Sequence, residues 1–186
     1  MPSEISKVGE RIDFPDTNRK TAILVLGMHR SGTSAVTRVA SLLGADLPQK
    51  LMPSSKNEND LGFWESTELY MLHEELLASG GSYWDDWRRF NPDWYDSPAA
   101  ENFTKRCIDY LQKDFGSSYF FVLKDPRMCR LVPFWINTLQ LFSADVRVLL
   151  PIRNPREVAA SLKKRNDFNP VKSYMLWLRP VSYTHL

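Results

Sequence analysis

Residues 27–34 read GlyMetHisArgSerGlyThrSer, between an apolar run and an amphipathic stretch. Gly27, four residues, Gly32 and then the hydroxyls of Thr33 and Ser34 have the spacing of a phosphate-binding loop. Glycines at both ends let the backbone wrap an anion, with the amides of Arg30 to Ser34 aimed at it from the positive end of a following helix. The position that carries Lys in nucleotide hydrolases is Thr33, and the one cation of the loop is Arg30. That Lys bridges the terminal phosphates in such enzymes, so its replacement argues against ATP or GTP hydrolysis. A second chemical cluster is LysAspProArg at 124–127, placed after another apolar run, where open α/β sheets collect ligands. For Asp125 and Arg127 a ligand-facing role and a plain surface turn are equal alternatives.

Cation-Ser-Gly-Thr-(Thr or Ser) is the donor loop of the sulfotransferase family, and Arg30-Ser31-Gly32-Thr33-Ser34 resembles it. Arg at the cation position is similar to the tyrosylprotein sulfotransferases and related bacterial enzymes. The resemblance implies that the loop binds the 5′-phosphosulfate of 3′-phosphoadenosine 5′-phosphosulfate (PAPS), and loop position makes His29 a further candidate contact. His29 stands where the family usually has proline. The family's 3′-phosphate site is an Arg at a strand end and a Ser eight residues on, matched by Arg153 in ArgAsnPro and by Ser161. Helix geometry allows the pair, since Ser161 lies almost two turns past the cap at Asn154. By the same resemblance Lys124 steadies the transferring sulfuryl group alongside Arg30, and no metal is required.

An acceptor needs a general base, for which the candidates are Glu58, Glu65, His29 and His73. Glu65 is preferred, in a segment (57–65) similar to one that follows the donor loop in bacterial sulfotransferase-like proteins. Its alternative is a helix N-terminal charge favoured by the dipole. Residues 83–95 hold Trp84, Trp87 and Trp94, read first as core packing and second as a lid over an acceptor.

These groups need elements to carry them. Ala22–Leu26, Tyr119–Leu123 and Val146–Ile152 are short apolar runs of the kind buried in a parallel sheet. Helical periodicity covers 33–43, 64–79, 99–115 and 131–141. Asn154 as cap, Pro155 in the first turn and Glu157 three residues past the cap open a further helix. Strands alternating with helices predict a three-layer α/β/α fold with a central parallel sheet. The resemblance makes this a P-loop-like sulfotransferase fold.

The chain has 186 residues, 43% hydrophobic and 25% charged, which suits one globular domain with its own core. Net charge is only +2, too weak for a nucleic-acid footprint. Residues 147–179 nevertheless carry net +6 against −4 for residues 1–146, either a solvated helix face or a place where an anion is met. Two cysteines, Cys107 and Cys129, make no disulfide framework and read as buried or spare thiols. No apolar run approaches a membrane span and the N-terminus is too polar for a signal peptide, so a cytoplasmic location is expected.

The expected organisation is a mobile lead-in (1–20), a PAPS-binding domain (21–179) and a tail (180–186) that follows a helix break at Pro180. That tail reads as a truncation or junction, because the family continues past its 3′-phosphate site. Expected function is therefore transfer of a sulfuryl group from PAPS to a hydroxyl or amine on a small-molecule, carbohydrate or peptide acceptor. A P-loop kinase or NTPase, and a PAPS-binding fragment that transfers nothing, are the alternatives.

Overall fold

The structure, a computed structural model, describes residues 19–56 and 58–184, with side chains through residue 179. Three strands, β1 (Lys20–Val25), β2 (Phe120–Lys124) and β3 (Ala144–Leu149), form a parallel sheet in the order β2-β1-β3. The helices are α1 (Thr33–Leu42), α2 (Thr67–Ser79), α3 (Pro98–Phe115), α4 (Val132–Leu141), α5 (Pro155–Asn166) and α6 (Pro170–Thr184). Short 3₁₀ turns at Pro92–Asp96 and Pro126–Arg130 complete the path.

Strand alternation divides the core into two layers. Ala22 and Leu24 of β1 and Leu26 just after it, with Phe121 and Leu123 of β2, pack against α2, α3 and α4. Ile23 and Val25, with Phe120 and Val122, face Val36 and Ala40 of α1 on the other side. Since side chains two apart along a strand share a face, a continuous apolar run is what a sheet covered on both sides requires. A third cluster, Met28, Val158, Leu162 and Leu176, seats α5 and α6 against the start of the loop after β1. Both thiols are buried, and burial pushes each up to about 12.

Some boundaries differ from the sequence reading. The run 146–152 is expected to be a strand; β3 instead spans Ala144–Leu149, with Val148 47% exposed, and Ile152 beyond it is 59% exposed. Helix α2 starts at Thr67, not Trp64, because Trp64 takes a left-handed φ of 59° and the Ser66 hydroxyl caps the Leu69 amide. The break expected at Pro180 is absent: α6 continues to Thr184, the proline removing one amide donor without ending the helix. Of the lead-in, residues 1–18 lie outside the described ones, as do 185–186 of the tail, and Lys20 already belongs to β1. No helix among the described residues is long and apolar enough to cross a membrane.

β1 is central, with β2 on one side and β3 on the other, so the connections leaving the carboxyl ends of neighbouring strands diverge. Such a reversal of strand order opens a crevice at the strand ends. Gly27 is required there, because a Cβ on it would stand 2.8 Å from the Thr33 methyl and 3.3 Å from the Pro151 carbonyl oxygen.

Candidate functional site

A cleft of about 250 Å³ opens at this crevice, lined by the loop after β1, the loop before α2, the end of β2 and the start of α5. His29, Arg30, Gly32, Thr33, Ser34, Glu65, Lys124 and Arg153 all line it. A roomier groove of about 540 Å³ between α3 and α4 holds none of them.

The loop starts helix α1 in a form suited to an anion. Gly32 is the N-cap at φ 86°, offers no side-chain acceptor to the first turn, and that turn carries no acid. The leading amides of α1 have no intrahelical partners by geometry, leaving donors at the cleft. Ser31 differs from its sequence assignment: its amide donates to the Met28 carbonyl at 3.2 Å and the residue is buried behind the lining. It shapes the loop and does not line the cleft. Arg30 takes a left-handed φ of 69°.

Arg30 joins distant parts of the chain. Its Nε donates to Ser161 Oγ at 2.8 Å and its Nη1 to the Glu58 carbonyl at 2.7 Å. Arg153, just beyond β3, donates through Nη1 to the Arg30 carbonyl at 3.1 Å and through Nε to Glu157 Oε2 at 2.7 Å. Asn154 caps α5 as its sequence predicts, accepting from the Arg156 amide at 2.9 Å. The Trp177 indole donates to the Arg153 carbonyl at 3.0 Å, so α6 helps fix this corner. Ser161 itself stands behind Arg30.

At the floor of the cleft Lys124 is buried, and its ammonium contacts Glu65 Oε1, the Phe63 carbonyl at 3.1 Å and Ser34 Oγ at 3.2 Å. These satisfy its three donors. Glu65 precedes the cap of α2, so it is no helix-terminus charge; its carboxylate turns inward to Lys124. Burial raises the Glu65 carboxyl above its ordinary value, and the Lys124 charge opposes that rise.

Asp125 and Arg127 are buried, which removes the surface-turn alternative. Asp125 caps the 3₁₀ turn after β2, accepting from the Arg127 amide at 2.8 Å and guanidinium at 3.0 Å. Its other oxygen meets His73 Nδ1 at 3.0 Å. Burial alone would raise this carboxyl; Arg127 and His73 outweigh it and hold it well below the usual carboxylate range. The Trp135 indole, which can only donate, meets His73 Nε2 at 2.8 Å, so Nε2 accepts and Nδ1 carries the proton given to Asp125. His73 is fully buried with both nitrogens engaged, a support for the Lys124 segment and not an available base.

The tryptophans divide. Trp94 is core, Trp87 is exposed, and Trp84 stands edge-on to His29 at 4.9 Å and stacks on Phe168 at 5.9 Å. Burial first, and the charge of Arg165 next, hold the His29 imidazole well below its ordinary value. It is thus a neutral ring among cations.

Two polar lining residues escape the sequence reading. Arg165 follows Ser161 by four positions, one turn of α5, and that spacing was the available signal. Burial and then the neighbouring Arg30 charge lower its pKa, against the opposing charges of Glu58 and Glu65. Asn59 reaches Ser34 Oγ at 2.9 Å from a loop whose polarity gave no sign of it.

The chain matches no protein-family model and no curated protein, so the residues and their arrangement carry the functional reading.

Proposed function

We propose that this chain binds PAPS and transfers its sulfuryl group to a hydroxyl or amine acceptor, on a P-loop-like sulfotransferase fold. The observation that carries the reading is the Arg30–Ser161 hydrogen bond of 2.8 Å, across 131 positions. It puts the loop that resembles a 5′-phosphosulfate site beside the Arg153–Ser161 pair that resembles a 3′-phosphate site. Crowding of Arg30, Arg153 and Arg165 around one small cleft suits a ligand with two anionic ends. Thr33 in place of the hydrolase Lys argues against a nucleotide triphosphatase sharing the same loop.

In this reading the α1 amides with Thr33 and Ser34 hold the 5′-phosphate, while Arg153 holds the 3′-phosphate and Ser161, outside the lining, anchors Arg30 beside it. Arg30 and Lys124 neutralise charge on the sulfuryl and bridging oxygens as it grows in a loose, in-line transition state. Lys124 meets the ligand by exchanging its Phe63 carbonyl contact while keeping Glu65 and Ser34. The acceptor oxygen or nitrogen bonds to sulfur, the sulfur–oxygen bond to the 5′-phosphate breaks, and adenosine 3′,5′-bisphosphate leaves with the electron pair. Glu65 takes the acceptor's proton; Lys124 keeps its buried carboxylate ionised, and burial makes it more basic than an exposed glutamate.

Sulfur-labelled PAPS incubated with carbohydrate, tyrosyl-peptide, lipid and amine acceptors tests this. Label is expected on one acceptor class, with no magnesium-dependent ATP turnover. Magnesium-dependent ATP turnover without label transfer would contradict the reading. Donor binding with no transfer to any acceptor would remove the catalytic step and leave donor recognition standing.

A further inference from the structure

The loop between α1 and α2 sends one side chain to the anion loop. Asn59 Nδ2 donates to Ser34 Oγ at 2.9 Å, and Lys124 Nζ donates to the same oxygen at 3.2 Å. A serine hydroxyl has two lone pairs and one hydrogen. Lys124 can only donate, and the Asn59 contact is made by its amide nitrogen, so both lone pairs are occupied. The hydroxyl hydrogen keeps a single free direction. Ser34 lines the cleft, and no acceptor for that hydrogen is found among the described residues.

We infer that Asn59 is a positioning residue: together with Lys124 it fixes the Ser34 hydroxyl hydrogen toward the cleft and makes Ser34 an obligatory donor to an anionic oxygen bound there. This rests on the reading of the loop as an anion cradle. An unrestrained serine rotor serves equally as donor or acceptor and must reorient when a ligand arrives. One whose lone pairs are both filled is already set as a donor. Polarisation by two donors, one of them charged, also strengthens the bond it gives. The cleft thereby favours ionised oxygens of phosphate or sulfate over ligand groups that can only donate. Asn59 and Lys124 each fill one lone pair of Ser34, so neither substitutes for the other in setting the rotor.

A double-mutant cycle with adenosine 3′,5′-bisphosphate, read by calorimetry, separates this role from simple loop support. Asn59→Ala is expected to weaken binding about five- to tenfold in the wild-type background and less than about twofold in Ser34→Ala. Asn59→Asp, whose carboxylate takes the serine hydrogen for itself, is expected to fall at least as far as Asn59→Ala. Urea midpoints of the Asn59 variants are expected to match those of their parent backgrounds, because Asn59 lies on a half-exposed loop. Equal losses in the two backgrounds would reveal loop support alone and overturn the assignment, as would no loss at all. Should the wild type bind the bisphosphate no better than AMP, the PAPS reading fails on its own, and the same cycle run with inorganic pyrophosphate still decides the role of Asn59. Pyrophosphate binding too weak to measure would overturn the anion cradle and the Asn59 assignment together.

Discussion

Replacing Lys124 with Met is expected to lower sulfuryl transfer by about two to three orders of magnitude and to cost about 3–5 kcal/mol of unfolding free energy near neutral pH. The first effect is, in the proposed reaction, the loss of a cation placed where transition-state charge grows. The second comes from Glu65, which stays buried with its counter-charge gone. Met fills similar volume, so the change is electrostatic more than steric. Burial already raises the Glu65 carboxyl from its ordinary 4.5, and removing Lys124 takes away the opposing charge, so the folded-state value climbs further. A carboxyl raised in the folded state binds an extra proton there, so stability is full below the ordinary glutamate range and is lost as pH rises through the folded value. The deficit of the variant is therefore smallest near pH 4.5 and grows toward pH 8, and Lys124→Met/Glu65→Gln recovers most of it. Urea unfolding at the two pH values reads this directly. Equal deficits at both would contradict the buried ion pair.

The second large effect belongs to Asp125. Asp125→Ala is expected to cost about 3–5 kcal/mol by urea unfolding, because it strips buried partners from His73 and Arg127 at once. Arg127 keeps Glu74 and its place over the Tyr70 ring at 4.3 Å, whereas the proton on His73 Nδ1 loses its acceptor. The pH dependence has the opposite sign to that at Lys124. Asp125 is held below the usual carboxylate range despite burial, so its stabilisation is present above that range and lost as pH falls beneath it. The difference between wild type and variant is thus constant from about pH 5 to 7 and shrinks in acid below about pH 4. A variant as stable as the wild type at pH 7 would remove Asp125 from the support of the Lys124 segment.

Much of this was legible in the sequence where local rules decide the outcome. Apolar runs closed by Gly27, and Asn154 followed by Pro155, specify their elements without help from distant residues. The loop residues were legible too, since phosphate-loop spacing is a local property. The exposure of β3 was not: 146–152 is as apolar as β1, and β2 is a terminal strand too, yet its Phe121, Val122 and Leu123 are buried while Val148 and Leu149 are exposed, a difference set by packing from distant elements. Glu65 was found as a residue but misjudged in setting, because Trp64 at positive φ and the Ser66 cap move the helix start beyond it. His73 shows a limit of another kind. Its ring is recognisable as a candidate base, yet the Trp135 and Asp125 contacts that commit both nitrogens come from 62 and 52 positions away. Ser34 was named, while the residue that sets its hydroxyl, Asn59, reaches it through tertiary approach alone.

The central claim, that one cleft recognises a nucleotide through its 5′ and 3′ anionic groups, is tested most directly by calorimetry with adenosine 3′,5′-bisphosphate and AMP on wild type and Arg153→Ala. Wild type is expected to bind the bisphosphate at least about tenfold more tightly than AMP. Arg153→Ala is expected to lose about 10- to 100-fold on the bisphosphate while binding AMP nearly as before. A bisphosphate affinity unchanged by Arg153→Ala, or no higher than that for AMP, would contradict it.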